Sequence, residues 1–310
     1  MDILLTGASG FIGRNLLLRK EPEWRVYAMY RSAADFEEFV RAHGLRDVHP
    51  IRCDLTTADE VRDLHGRIPT GFDAILHLAS NGDPAASATD PADDLRRGPL
   101  ATVQLLSSFS CRRAVFFSSG AVYDGHRGLV GPETRLNPTL PYAISKLASE
   151  QYVKAFRKRG RSDGYVILRF FGAFGPFEPA RKIYTRMVRW AATAAAGAAF
   201  EIRGNGRNLI DAMAVEDTIR AVKRILASDV ADEVVDFATG GPLTINELVE
   251  RAMRALDRPD ARLAHVGEVP EYVEFYASPG RMKELFDFRP EISLEEGLRR
   301  LKAHLDGLAG

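Results

Sequence analysis

Short continuous apolar runs recur through the first half of the chain, each closed by a turn signal and followed by a helical stretch. Ile3-Leu4-Leu5 is the first, and it leads into Arg14-Asn15-Leu16-Leu17-Leu18. Arg25 to Tyr30, Val48 to Arg52, Phe72 to Ala79, Arg113 to Phe117 and Tyr165 to Phe171 follow. Runs without polar alternation are the signature of strands buried on both faces. Between them, residues 95–109 read as a helix despite Gly98-Pro99. A second helix opens at Pro141, carries Ala143, Leu147, Ala148, Tyr152, Ala155 and Phe156 at helical spacing, and stops at Gly160. Strands alternating with helices predict an α/β fold with a doubly wound, mostly parallel sheet. After Gly175-Pro176 the rhythm changes. Ile183 to Gly197 reads as an alanine-rich helix, Phe200 to Arg203 as a short strand, and Val215 to Ser228 as another helix. Thr244-Ile245-Asn246-Glu247 is a capping box for a helix ending near Leu256, and a last helix starts at Ser293. The expected division is a sheet domain over 1–175, completed by about 233–242, and a smaller C-terminal α/β lobe over 176–310.

The turn after the first strand is Thr6-Gly7-Ala8-Ser9-Gly10-Phe11-Ile12-Gly13. Gly7 permits the tight turn, Gly10 lets the backbone approach a pyrophosphate, and Gly13 allows close helix-to-strand packing, so a strand, glycine turn and helix in this order predict a Rossmann-type dinucleotide site. The N–H groups opening that helix, from Phe11 and Ile12 onward, then face the phosphates. At the end of the second strand stand Tyr30 and Arg31, where an NAD site usually has an acid for the ribose 2′-hydroxyl. Arg31 suits a 2′-phosphate and favours NADP(H), with NAD(H) the alternative if Arg31 is only a solvated charge. Asp54, followed by Leu55, is placed to accept from an adenine amine, or to cap the turn before Thr56. Leu78 and Ala79 end the fourth strand as candidate cofactor contacts, and Ser80 opens the loop beyond as a candidate substrate contact, at the sheet edge where ligands lie. His77 within that strand reads as a satisfied core histidine. Ser119, at the end of the fifth, is placed to hold a reacting oxygen. Tyr142 and Lys146 lie four apart on one helical face. A neighbouring ammonium favours the phenolate and brings a phenol towards the range of useful proton transfer.

Composition narrows the setting. Lysine plus arginine balance aspartate plus glutamate at 42 each among 310 residues, which gives no argument for nucleic acid or an anionic membrane. The two cysteines, Cys53 and Cys111, have no metal-ligand spacing, so no metal site is expected and a reducing compartment is. No apolar run approaches a membrane span, and Met1 runs at once into a strand pattern with no room for a signal peptide. The expectation is a cytoplasmic protein.

The glycine turn, Ser118-Ser119-Gly120-Ala121-Val122-Tyr123 and Tyr142-Ala143-Ile144-Ser145-Lys146, in this order, resemble the extended short-chain dehydrogenases/reductases, and more narrowly the NAD-dependent epimerase/dehydratase group that acts on nucleotide sugars. Asn137-Pro138, Arg169-Phe170-Phe171-Gly172-Ala173-Phe174-Gly175-Pro176 and Thr239-Gly240-Gly241-Pro242-Leu243-Thr244 extend the likeness over nearly the whole chain. The resemblance implies a catalytic set of Ser119, Tyr142 and Lys146, with Lys146 also on the nicotinamide ribose, a nucleotide-sugar substrate, and a homodimer. Three departures stand out. Gly120-Ala121 occupy the place of the Asp-Glu pair of the 4,6-dehydratases, which disfavours dehydration. Gly172 and Ile210 replace an asparagine and an arginine that the family uses on the substrate, leaving Arg181, Lys182, Arg203 and Arg207 as candidate diphosphate contacts. Gly98 replaces an asparagine on the cofactor side. Hydride transfer at C4 of the sugar remains. Arg31 and the likeness of Val122-Tyr123-Asp124-Gly125 to 4-keto-sugar reductases favour a 4-ketoreductase; a 4-epimerase with tightly bound NAD is the alternative. A reductase of another substrate and a non-catalytic dinucleotide-binding regulator are further readings.

Overall fold

The computed structural model describes residues 1–269 and 273–309. The apolar runs form strands β1 (Asp2–Thr6), β2 (Arg25–Tyr30), β3 (Val48–Arg52), β4 (Gly71–His77), β5 (Ser110–Ser119) and β6 (Ser162–Phe170), and Glu233–Phe237 adds β7. They hydrogen-bond in the order β7-β6-β5-β4-β1-β2-β3, with β1 to β6 pairing in parallel. Strand order reverses between β1 and β4, which opens a crevice at the carboxyl ends of these strands. Ile3, Leu4 and Leu5 are fully buried. Leu4 joins Ile75, Ala114 and Ile167 of the sheet in a core with Leu105 and Val153 of the covering helices and with Phe109.

Helix α1 (Phe11–Leu18) follows β1 directly. The helix expected over 95–109 is instead three pieces: α2 (Pro91–Leu95), a π-helical turn (Arg96–Leu100) and α3 (Ala101–Ser108). Pro99 has no N–H to give, and the ladder lengthens through this turn so that the Ala101 N–H reaches the Arg96 carbonyl. Helix α4 (Pro141–Lys158) starts with proline in its first turn, where the missing N–H is harmless.

Contacts divide the chain into two compact units. The first comprises Met1–Gly125, Pro132–Phe170 and Val222–Asp236; the second comprises His126–Gly131, Phe171–Ala221 and Phe237–Gly310. As expected of a sheet completed by a later segment, Val222–Asp236 returns to the first unit, while Arg127–Val130 pairs in parallel with Glu274–Ala277 within the second. In that unit α5 (Ile183–Thr193), α6 (Ile245–Ala255) and α7 (Leu294–Ala309) enclose a core with Met187, Phe200, Leu248 and Leu298. Helix α5 ends four residues before the expected Gly197: Ala194 turns extended, and the Arg258 guanidinium donates to the carbonyls of Ala191, Ala194 and Ala195. The capping box of α6 is complete, with Glu247 N–H on Thr244 Oγ1 (3.2 Å) and Thr244 N–H on Glu247 Oε2 (2.8 Å). No helix among the described residues is long and apolar enough to cross a membrane.

Candidate active site

A cavity of about 440 Å³ lies over the carboxyl ends of β1, β2 and β4 in the first unit. Gly7, Gly10, Arg31, Asp54, Leu55, Leu78, Ala79 and Ser80 line it; Phe11, Ile12 and Gly13 do not. Those three form the first turn of α1, and their N–H groups have no intrahelical acceptor, which makes them the donors a diphosphate needs. Gly13 is fixed by packing: a Cβ there would come within 2.4 Å of the Ala8 carbonyl oxygen. Cradle, donors and cavity size fit a dinucleotide. Arg31 and Ser32 are exposed at the rim, and no carboxylate from the end of β2 lines the cavity. The acid closest along the chain, Asp35, is paired with Arg14 at 2.9 Å. Asp54 serves the turn as well as the cavity, since its Oδ1 accepts from the Thr56 N–H (2.9 Å) and hydroxyl (2.8 Å).

The cavity continues past Ala79 and Ser80 to a small one of about 10 Å³, lined also by Asn81, Asp94, Tyr142 and Lys146. Ser119, at the end of β5, accepts from the Ala121 N–H (3.1 Å) and acts on the Tyr142 phenol, whose pKa it lowers. Lys146 is buried and donates to the Phe117 carbonyl (2.8 Å) and Ser80 Oγ (2.9 Å). The ammonium is turned to Phe117 and Ser80 instead of the phenol oxygen, and the Tyr142 pKa lies above its ordinary value. Burial is the main cause, Asp94 adds to it, and Ser119 opposes it. Burial also pulls Lys146 down to about 8, against the opposing charges of Asp94 and Glu150.

Several residues that hold this arrangement escaped the sequence reading. Asp124 accepts from the Thr139 N–H (2.9 Å) and hydroxyl (2.8 Å) and from the Leu140 N–H (3.1 Å), which fixes the chain just before α4. Ser87 accepts the Tyr142 N–H (3.0 Å). Glu150, one turn beyond Lys146, accepts from Ser118 (2.6 Å) and from Arg169 through Nε (3.1 Å) and Nη2 (2.9 Å). Arg169 also donates to Tyr123, whose hydroxyl donates to Asp236, both at 2.8 Å. His77 is the core histidine the sequence suggested. Thr102 spends its proton on the Gly98 carbonyl (2.9 Å), so it accepts from His77 Nε2 (3.0 Å). Thr6, which accepts from the Ala79 N–H (3.1 Å), then donates to Nδ1 (2.7 Å). Burial holds this neutral ring down at about 3.

In the second unit, Arg181 and Lys182 precede α5, Arg203 ends the strand Ala199–Arg203, and Arg207 follows it; all four are exposed. Gly172 has φ +141°, a backbone that L side chains rarely adopt, so an asparagine does not fit this loop as it stands. Asp211 is buried and accepts from the Thr239 N–H (3.1 Å), the Thr239 hydroxyl and the Gly240 N–H (3.0 Å), which secures the Thr239-Gly240-Gly241 turn. Among the described residues no group of three or more His, Cys, Asp or Glu could hold a metal ion.

Comparison with known proteins places the fold. The uncharacterized UDP-glucose epimerase YtcB of Bacillus subtilis (strain 168) is 25% identical over 322 aligned positions, covering 99% of each chain. The GDP-6-deoxy-D-mannose reductase of Pseudomonas aeruginosa is 26% identical over 322, covering 96% of this chain and 95% of the reductase. The solved structure of MoeE5 in complex with UDP-glucuronic acid and NAD matches with a TM-score of 0.83 and 28% identity, over 99% of this chain and 100% of that one. The model of the NAD dependent epimerase/dehydratase family matches residues 3–238, a span that takes in the glycine cradle, Ser119, Tyr142 and Lys146, and the chain belongs to that family.

Proposed function

We propose that this chain exchanges hydride at C4 of a nucleotide-linked sugar, with Tyr142 as acid-base, Ser119 holding the reacting oxygen and Lys146 serving as charge partner and ribose contact. The observation that carries the reading is the meeting of Ser119, Tyr142 and Lys146 at the sheet edge that also forms the dinucleotide-sized cavity. A nicotinamide dinucleotide bound there supplies hydride acceptance and return. The first-turn N–H groups of α1 would hold the diphosphate, Asp54 and Leu55 would border the adenine, and Lys146 with Ser80 would meet the ribose. Tyr142 moves a proton between its phenol oxygen and the sugar oxygen, which Ser119 orients. The turn Gly120–Tyr123 that follows Ser119 begins with Gly120-Ala121, which offer no acid or base for removing water. Relatives named for UDP- and GDP-sugars support a nucleotide-sugar substrate. Arg181, Lys182, Arg203 and Arg207 are the cations proposed for its diphosphate.

The family and the NAD in MoeE5 support NAD(H), and with a resident NAD the reaction is 4-epimerisation. Two observations favour NADPH-dependent 4-ketoreduction as a second reading. Arg31 at the cavity rim suits a 2′-phosphate, and the raised pKa of Tyr142 keeps the phenol protonated, the form that donates to a carbonyl oxygen. Denaturing the purified protein and identifying the released dinucleotide by mass spectrometry decides between them. Near-stoichiometric NAD is the outcome expected of an epimerase. Release of no dinucleotide, together with tighter binding of NADPH than of NADH, refutes it in favour of the ketoreductase.

A further inference from the structure

Asp94 has no part in the roles given above, yet it is only 2% exposed. It sits near the end of α2 on the stripe Asp94, Gly98, Ala101, Thr102 and Leu105, all buried. A carboxylate in such a place needs partners. Its Oδ1 accepts from Asn81 Nδ2 (2.9 Å), and Asn81 is itself oriented by the Asp83 N–H and carbonyl. Its Oδ2 is buried with no hydrogen-bond partner. Asp94, Ser80, Tyr142 and Lys146 line the same small cavity of about 10 Å³, which is room for one water molecule.

We propose that Asp94 is a positioning residue for the Tyr142–Lys146 pair: its second carboxylate oxygen, acting across that cavity directly or through one water, is the counter-charge that keeps the buried Lys146 an ammonium. The inference deepens the reading of the active site and rests on Tyr142 and Lys146 being its working pair. Two carboxylates oppose the pull of burial on Lys146, Asp94 and Glu150. Glu150 is on the same helix, but both its oxygens are engaged by Arg169, and Ser118 adds a third bond. His77 of β4 is held neutral between Thr6 and Thr102. Tyr142 is a protonated phenol at neutral pH. Of the two carboxylates, Asp94 keeps an oxygen without a hydrogen-bond partner, and it outweighs Glu150 in opposing the pull of burial on Lys146. The same charge raises Tyr142. Neutralising Asp94 therefore lowers both groups together and moves the working pH range of the pair to the acid side. A carboxylate that merely tied α2 to Asn81 would leave that range where it is.

The test is a pH titration of the protein labelled with ¹³C at lysine Cε, with the Lys146 resonance assigned as the one lost in Lys146→Arg. In Asp94→Asn, which keeps the shape of the side chain, the Lys146 midpoint is expected to fall by about a unit or more, a tenfold loss of proton affinity. Asp94→Glu retains the charge and is expected to titrate close to the parent. Should Asp94→Asn fail to fold, Asp94→Ser is measured in its place. An unmoved midpoint in the neutral variants, or an equal fall in Asp94→Glu, overturns the proposal. The titration needs no substrate, so its result is separate from loss of turnover in Tyr142 variants, which bears on the function itself.

Discussion

Tyr142 loses solvent when it is packed at the head of α4, and the phenolate loses far more than the phenol. Burial therefore outweighs the lowering influence of Ser119, and the phenol stays protonated in the protein alone. A tyrosine this placed can be removed from the chemistry without removing the cavity, because it lines only the small cavity by Lys146, not the larger one over the glycine turn. Tyr142→Phe is expected to change dinucleotide affinity by less than about threefold and to lower turnover by about 10²–10⁴-fold. Calorimetric binding alongside steady-state rates checks both halves. Unchanged turnover ends the assignment of Tyr142 as acid-base. The tyrosine, the lysine and the serine were legible in the sequence because their spacing sits inside recognisable motifs. Asp94 was not, although its place on the buried stripe with Gly98 and Thr102 is a signal: an acid at an apolar position of a helical repeat.

At the scale of elements, α4 is held to the sheet by charge as well as by packing. Glu150 and Arg169 are both almost fully buried, and they join α4 to β6 while Ser118 adds β5 and Tyr123 with Asp236 adds β7. Removing one partner leaves the other charge in a place without water. Glu150→Ala is expected to lower stability by about 3–5 kcal/mol, and Glu150→Met with Arg169→Met to lose less than Glu150→Met alone, because the pair's desolvation penalty goes with it. Urea unfolding of these variants and of Arg169→Met measures this; a double-methionine loss equal to the sum of the two single-methionine losses would show that the pair is not coupled. The broken helix over 91–108 belongs to the same scale. Gly98-Pro99 was visible in the sequence, but only backbone geometry shows that the chain absorbs Pro99 by a π-helical turn instead of ending the helix.

For the whole molecule, the first unit leaves Leu95, Leu100, Ile144 and Tyr152 exposed around α2, the π-helical turn and α4. Large apolar side chains repeated on neighbouring helices suit contact with a second copy of the chain, the homodimer implied by the resemblance. The expected result of sedimentation analysis is a dimer that Ile144→Asp with Tyr152→Asp converts to monomer. A monomeric parent protein rules the dimer out.

Sequence alone determined the order of strands and helices, the glycine cradle, the serine, tyrosine and lysine, and the family. Each of these is written locally: apolar runs bounded by turns, glycines at fixed offsets, and two side chains one helical turn apart. Tertiary structure decided what no local pattern carries. The direction of the Lys146 ammonium, the division of Glu150 between Arg169 and Ser118, and the meeting of Asp94 with Tyr142 depend on residues brought together from far apart in the chain. Burial then set the charges, because desolvation acts on whatever the fold encloses and is blind to the motif it came from.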